Sequence, residues 1–169
     1  MNQTNFLNIV LPFKDKLYRL AKRLLVSSEE AEDATQEVLL KLWKNKTKIA
    51  TYKNVEAFAM TMTKNYCFDR LKSKQANNLA IVHNNYKDNT IRLQHEIEIK
   101  DSVNWVHKLM QELPEQQRII LQLRDVEQYE FSEIAKILEM KETAVRVNLS
   151  RARKVIKEKL INKHNYGVS

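Results

Sequence analysis

A chain of 169 residues with 43% hydrophobic content is long enough for one ordinary domain or two small ones, and apolar enough to build compact cores. A single cysteine, Cys67, excludes an intrachain disulfide, while one glycine and two prolines are too few turn formers for β-hairpins or glycine-rich phosphate loops. The net charge of +8 is uneven: residues 1–75 carry 14 Lys/Arg against 8 Asp/Glu, residues 76–140 carry 7 against 11, and residues 141–169 carry 8 against 2, so two basic blocks flank a mildly acidic one, as suits a polyanion held at two places.

The expected architecture is all-α. Phe6 to Val26 reads as an amphipathic helix, with Phe13, Leu17, Leu20, Leu24 and Leu25 at helical spacing. Ser27 and Glu30 form the pattern of a capping box for a second helix running to about Asn45, whose buried stripe is Ala31, Ala34, Val38 and Leu42. Lys46 to Asn54 reads as a polar, basic loop containing Ile49 and Tyr52, and Asn54 is the expected N-cap of a third helix from Val55 to about Lys74. Val55, Phe58, Ala59, Met62 and Tyr66 line one side of that helix and Met60, Cys67 and Leu71 much of the other, the pattern of a helix central in its bundle. Residues 1–75 are thus expected to form a three-helix domain.

From Gln75 to about Thr90 the sequence turns polar and Asn-rich, with Asn77, Asn78, Asn84, Asn85 and Asn89, which marks residues 76–100 as a linker. Periodicity returns with Val103, Val106, Leu109, Met110 and Leu113, beside Trp105. Pro114 suits the first turn of the next helix, Glu115 to about Val126, which carries Ile119, Ile120, Leu121 and Leu123. A short helix from Phe131 to Leu138, a tight connection through Glu139 and Met140, and a basic helix from Lys141 to Lys159 complete a second, four-helix domain over residues 101–169.

The last two helices have the outline of a helix-turn-helix. Ala135 is small enough for the first to cross close to the second, and Ile134, Leu138, Val145 and Leu149 supply a shared core that continues to Ala152 and Ile156. Thr143, Val147, Ser150, Arg151 and Lys154 project to the opposite face, and Arg146 and Arg153 add to the positive charge. An exposed arginine can pair bidentately with guanine, and an exposed Val147 can pack on a thymine methyl. Farther upstream, Asp33, Gln36, Glu37 and Leu40 lie at i, i+3, i+4 and i+7 on a face distinct from the core stripe, suited to docking on another helix or simply to solvation.

Taken together these segments resemble the extracytoplasmic-function (group IV) RNA polymerase sigma factors of the sigma-70 family. The first domain is similar to their region 2, with A-E-D-x-x-Q-E-x-x-L-x-L-W at Ala31–Trp43 and A-F-x-M-x-x-x-N-x-x-x-D-R at Ala57–Arg70. The second is similar to region 4, with L-P-E-Q at Leu113–Gln116, E-I-A at Glu133–Ala135 and S-R-A-R-K at Ser150–Lys154. The resemblance runs from about Phe6 to Leu160. It implies an alternative sigma factor that directs promoter-specific initiation by core RNA polymerase. Asp33, Gln36, Glu37 and Leu40 would meet the clamp helices of the polymerase's largest subunit, with Trp43 steadying that helix, and region 4 would meet the flap.

The basic loop, with Lys46, Lys48, Tyr52 and Lys53, and Asn65 beyond it, would hold the melted minus-10 strand. Thr143, Arg146, Val147, Ser150, Arg151, Arg153 and Lys154 would engage the minus-35 element. A dissociable anti-sigma factor is a further implied partner. Tyr52 fits a loop-to-core anchor equally well. The family usually carries glycine before and within the turn of the helix-turn-helix, where this chain has Gln128 and Glu139; a left-handed non-glycine residue costs roughly 1 kcal/mol.

Two other classes fit less of the chain. A dimeric helix-turn-helix regulator would leave the Asp33/Gln36 face and the whole first domain without a role. An enzyme is not expected: His83, His95, His107 and His164 are scattered, none joins Cys67 in a metal-ligand spacing, and neither a cofactor nor a metal is called for. With no signal-peptide pattern and no membrane-length apolar run, a cytoplasmic protein without membrane insertion is expected.

Overall fold

The computed structural model describes residues 1–82 and 102–166, and these form helices with no strand among them. The order is α1 (Gln3–Leu25), α2 (Ser28–Lys44), α3 (Lys46–Ile49), α4 (Val55–Val82), α5 (Ser102–Gln111), α6 (Glu115–Leu121), a π turn (Gln122–Val126), α7 (Phe131–Leu138) and α8 (Glu142–Tyr166).

In the first domain the apolar stripes meet as their spacing demands. Phe13, Leu17, Leu20, Leu24 and Leu25 of α1 are buried against Ala31, Ala34, Val38 and Leu42 of α2. Each large side chain taken out of water contributes about 1.5–3 kcal/mol. The alanines let α1 and α2 approach closely across the two-residue connection Val26–Ser27. Only half of the expected capping box forms. The Ser27 hydroxyl accepts from the Glu30 amide at 3.4 Å, but the Glu30 carboxylate is drawn instead to Lys74 and to Arg70, 3.8 Å away on α4.

Three further expectations are corrected. Residues 46–54 are not loop throughout: Lys46–Ile49 closes a helical turn because Ile49, 1% exposed, anchors it in the core. The first domain therefore holds a short fourth helix. Asn54 does cap α4, accepting from the Ala57 amide at 2.9 Å, but that helix runs to Val82 rather than Lys74, into residues read as linker. The rest of that reading, residues 83–100, lies outside the described residues. On α4 the buried positions are Ala59, Met60, Thr63, Lys64 and Cys67, whereas Phe58 is exposed. The helix is wedged between α1 and α2 on one side and α7 on the other.

The second domain gathers Leu109, Met110, Leu113, Ile119, Ile120, Leu123, Ile134, Ile137, Val145, Leu149 and Ala152 into its core. Pro114 is the N-cap of α6, which begins at Glu115, and Leu138 and Ile156 are half-buried at the edge. Gln128 and Glu139 both adopt left-handed backbone, with φ of 61° and 54°. The turn geometry that glycine would give is thus kept at the expense of roughly 1 kcal/mol per residue. Glu139 closes α7 as its C-cap, and α7 opens with a complete capping box between Glu130 and Glu133.

The two domains are not separate bodies. α7 lies on α4, and α6 with the π turn lies on α1, joined by cross-domain hydrogen bonds from Arg19, Arg23, Lys64 and Tyr129. Sequence reasoning foresaw none of these contacts.

Candidate nucleic-acid and protein-docking surfaces

The face on α2 forms because its core stripe is turned inward. Asp33, Gln36 and Leu40 are exposed, Leu40 by 46%, and Glu37 is half-buried beside Lys41 at 3.7 Å. A carboxylate, an amide and an uncovered leucine in one row can bind a helix offering both polar and apolar groups. Trp43 stands at the end of this row, edge-on to Phe6 with ring centroids 5.1 Å apart. It ties the end of α2 to the start of α1 and so fixes the direction of the exposed row.

Of the basic-loop residues, Lys46 is already engaged, its ammonium 3.9 Å from the Trp43 ring centroid. Lys48 and Lys53 are exposed, as is Asn65 on α4. Tyr52 is 39% exposed and packs edge-on against Phe58, also 38% exposed, with centroids 4.8 Å apart. Of the two readings of Tyr52, a solvent-facing aromatic pair rather than a core anchor is what the structure holds. Phe58 was not singled out by sequence because its place in the helical period assigned it to the core. Two accessible rings beside free lysines can stack bases while the charges hold phosphates.

On α8 the packing stripe Val145, Leu149 and Ala152 is buried, which leaves Thr143, Val147, Ser150, Arg151 and Lys154 exposed on one face. Val147 is 47% exposed and lies among these polar and basic side chains. Arg146 lies at the edge of this face, 3.7 Å from Glu142 and with its guanidinium 4.1 Å from the Phe131 ring centroid. Arg124 stacks on the same ring at 4.4 Å and donates to the Tyr129 carbonyl at 2.8 Å.

Arg153 is exposed like the rest of the set, and in the free chain its guanidinium is paired. Its Nε donates to Asp125 Oδ2 at 3.0 Å and its Nη2 lies 2.5 Å from Oδ1, a fork that pushes its pKa up. It stands at the rim of an apolar groove of about 390 Å³ whose walls are Val106, Met110, Leu121, Ile156, Leu160 and Ile161. Seven residues beyond Arg146, Arg153 lies on the seam between α8 and the π turn, where it makes an exposed pair with Asp125. The groove was missed because Ile156 read from sequence as the end of a core stripe and Leu160 and Ile161 lay past the expected helix end at Lys159, whereas α8 runs to Tyr166.

Among the described residues no cluster of three His, Cys, Asp or Glu side chains could hold a metal ion, and no helix is long and apolar enough to cross a membrane. Burial pushes the Cys67 thiol up to about 12, reinforced by the charge of Glu30.

Matches to known proteins cover both halves of the chain. Residues 9–77 match the profile of sigma-70 region 2, and residues 104–156 match that of sigma-70 region 4. The chain is 22% identical over 170 residues to the extracytoplasmic-function RNA polymerase sigma factor SigW of Bacillus subtilis, covering 94% of this chain and 90% of that protein. In fold it is similar to the sigma factor RpoE of Bartonella quintana, solved in complex with the anti-sigma factor NepR, with a TM-score of 0.76, 19% identity and coverage of 92% of this chain and 96% of that one. It is also similar to CnrH, solved with the cytosolic domain of CnrY, with a TM-score of 0.67, 16% identity and coverage of 95% and 90%.

Proposed function

The chain belongs to the sigma-70 family, as an extracytoplasmic-function sigma factor that binds core RNA polymerase and directs promoter-specific initiation, and from that premise we propose how its residues divide the work. The observation that carries the proposal is that one chain exposes a mixed polar and apolar row on α2 and a basic face on α8, each set outward by the buried stripe of its own helix.

Asp33, Gln36, Glu37 and Leu40 dock on the clamp helices of the largest polymerase subunit. Lys48, Lys53, Tyr52 and Asn65, joined by Phe58, hold the melted minus-10 strand, while Lys46 braces Trp43. Thr143, Arg146, Val147, Ser150 and Arg151 face minus-35 bases, and Lys154 meets phosphate. Arg153 has a structural part here through Asp125. The groove behind it is apolar with Arg153 and Lys157 at its rim, which suits an amphipathic helix such as that of the polymerase flap.

The catalytic chemistry belongs to the polymerase, and this chain contributes promoter selection and strand opening in the cytoplasm where that polymerase works. An anti-sigma factor is a fitting inhibitor, since both structural neighbours were solved with such a partner or with a cytosolic binding domain. The test is co-purification with core polymerase followed by run-off transcription from a promoter library. Complex formation and promoter-selective transcripts support the reading. Tight binding of the chain alone to a palindromic duplex, with no effect of polymerase, would replace it with a dimeric regulator.

A further inference from the structure

Residues 141–169 hold eight Lys/Arg and two acids, and one of those acids, Glu142, stands at the start of α8 beside Arg146. Glu142 has no part in any of the surfaces assigned above. A carboxylate on a face that meets a polyanion weakens the encounter, so its place there calls for a physical account.

At 3.6 residues per turn Glu142, Arg146 and Ser150 follow one another along one side of α8, and all three are exposed. Glu142 Oε1 lies 3.7 Å from Arg146 Nη2, which is an ion pair but too long for a hydrogen bond. On its other side the Arg146 guanidinium is stacked on Phe131, 4.1 Å from the ring centroid. Stacking uses the flat face of a guanidinium, whereas its N–H donors lie in the plane. Neither neighbour therefore occupies the donor edge with which an arginine recognises a base. The ring itself is steadied by Arg124, which stacks on it at 4.4 Å, donates to the Tyr129 carbonyl at 2.8 Å and lies 3.6 Å from Glu130.

Arg146 thus keeps its hydrogen-bonding edge free while a negative charge stands beside it. The two kinds of acceptor on DNA respond differently to that charge. A guanine edge offers N7 and O6, which are neutral, so a bidentate pair with Arg146 brings no anion toward Glu142. A phosphate oxygen carries charge, and bound to Arg146 it would sit close to the carboxylate, where like charges repel. The same carboxylate stands over the free backbone N–H groups of the first turn of α8, a place that otherwise draws phosphate. Phosphate contacts carry affinity for every sequence alike, and base contacts carry the preference. An acid that penalises the first and spares the second raises the ratio of specific to non-specific binding, as a repulsive element does against wrong partners.

We infer that Glu142 is a specificity-determining residue of the α8 face: its carboxylate beside Arg146 turns that arginine away from phosphate and toward a base edge. The inference rests on the placement of Arg146 at minus-35 DNA. An acid in the first turn also complements the helix dipole, but that role by itself acts on melting and not on base preference.

The test is competition binding by the full chain in complex with core polymerase. The duplexes are a preferred minus-35 element selected from a randomised library, its single-base variants and an unrelated sequence. Glu142→Gln is expected to tighten binding to the unrelated duplex and to lower the preference at the base that Arg146 reads, each by about two- to fivefold, the scale of one exposed ion pair. The salt dependence should steepen as phosphate contacts are gained. In an Arg146→Ala background Glu142→Gln should change base preference no further, because the carboxylate acts through that arginine. Exchanging the two neighbours, Lys141→Glu with Glu142→Lys, keeps the net charge and an acid at the start of the helix, and should lose preference as Glu142→Gln does.

Wild-type preference in Glu142→Gln or in the exchange variant overturns the inference, and a lowered melting temperature alone leaves Glu142 only its part in the helix dipole. A loss of preference that recurs undiminished in the Arg146→Ala background also overturns it. If Arg146→Ala by itself keeps the wild-type preference, the placement of Arg146 on a base falls and the inference with it. Absence of polymerase binding by the wild-type chain would instead overturn the reading of the whole protein on which both depend.

Discussion

Arg146 rests its guanidinium on the ring of Phe131, 4.1 Å from the centroid, while Arg124 covers the same ring at 4.4 Å. A flexible side chain at the edge of the face proposed to read DNA is thereby held in one direction, which would reduce the ordering cost on binding. The aromatic belongs to the first turn of α7 and the arginine to the second turn of α8, so the helix crossing itself makes the contact.

If this stacking prepares Arg146 for a base, Phe131→Leu should reduce discrimination at the base that Arg146 reads, while Phe131→Tyr keeps it. Competition binding with single-base variants of the minus-35 element in the polymerase complex measures this. Arg146→Ala run in parallel distinguishes a failed stack from a failed assignment of Arg146.

Arg151→Ala and Arg146→Ala should each weaken a preferred minus-35 element by about 1–3 kcal/mol and relax base preference there. Lys154→Ala should weaken all sequences alike and flatten the salt dependence by about one phosphate contact. Arg153→Ala should act differently, because its loss leaves Asp125 without its guanidinium fork. A lowered melting temperature with unchanged base preference is the expected outcome.

The α2 row makes a stability prediction as well as a binding one. Asp33 and Gln36 are exposed, and removal of exposed side chains usually changes stability by no more than about 0.5 kcal/mol. The Asp33→Ala/Gln36→Ala protein should therefore melt with the wild type and yet fail to co-purify with core polymerase. Wild-type affinity in that variant would end the docking assignment.

For the melted strand, substitutions at Tyr52, Phe58 or Asn65 should reduce permanganate-reactive thymines near the start site more than they reduce duplex binding, because stacking of a base contributes about 1–3 kcal/mol only once the strands part. Lys46→Ala is expected to act through Trp43, with loss of helix stability at the end of α2.

Cys67 gives a check on the core that needs no DNA. With its thiol buried and pushed up to about 12, almost no thiolate is present at pH 8, so alkylation should be slow in the native chain and fast in denaturant. The folded value lies above the unfolded one, so its contribution to stability is full below the unfolded pKa and is lost as pH rises toward 12. Rapid native labelling at pH 8 would contradict the packing of α4.

The sequence by itself determined the local order of this protein. Scarcity of glycine and proline ruled for helices, the 3.6-residue period of leucines and alanines chose each buried stripe, and Asn54 capped α4, because these effects act within one or two turns of the chain. The outward sets on α2 and α8 followed as the complement of those stripes, and the ordered motifs carried the family. What only the tertiary structure decided lies between elements. Phe58 went outward although its period assigned it inward, Ile49 closed a turn where polarity suggested loop, and Arg153 was claimed by Asp125. The pairing of Arg19 with Glu127, 108 positions away, has no sequence signal, since a surface arginine and a surface glutamate look alike whether solvated or joined. Charges at such separation become neighbours only when both domains have folded and their surfaces fit.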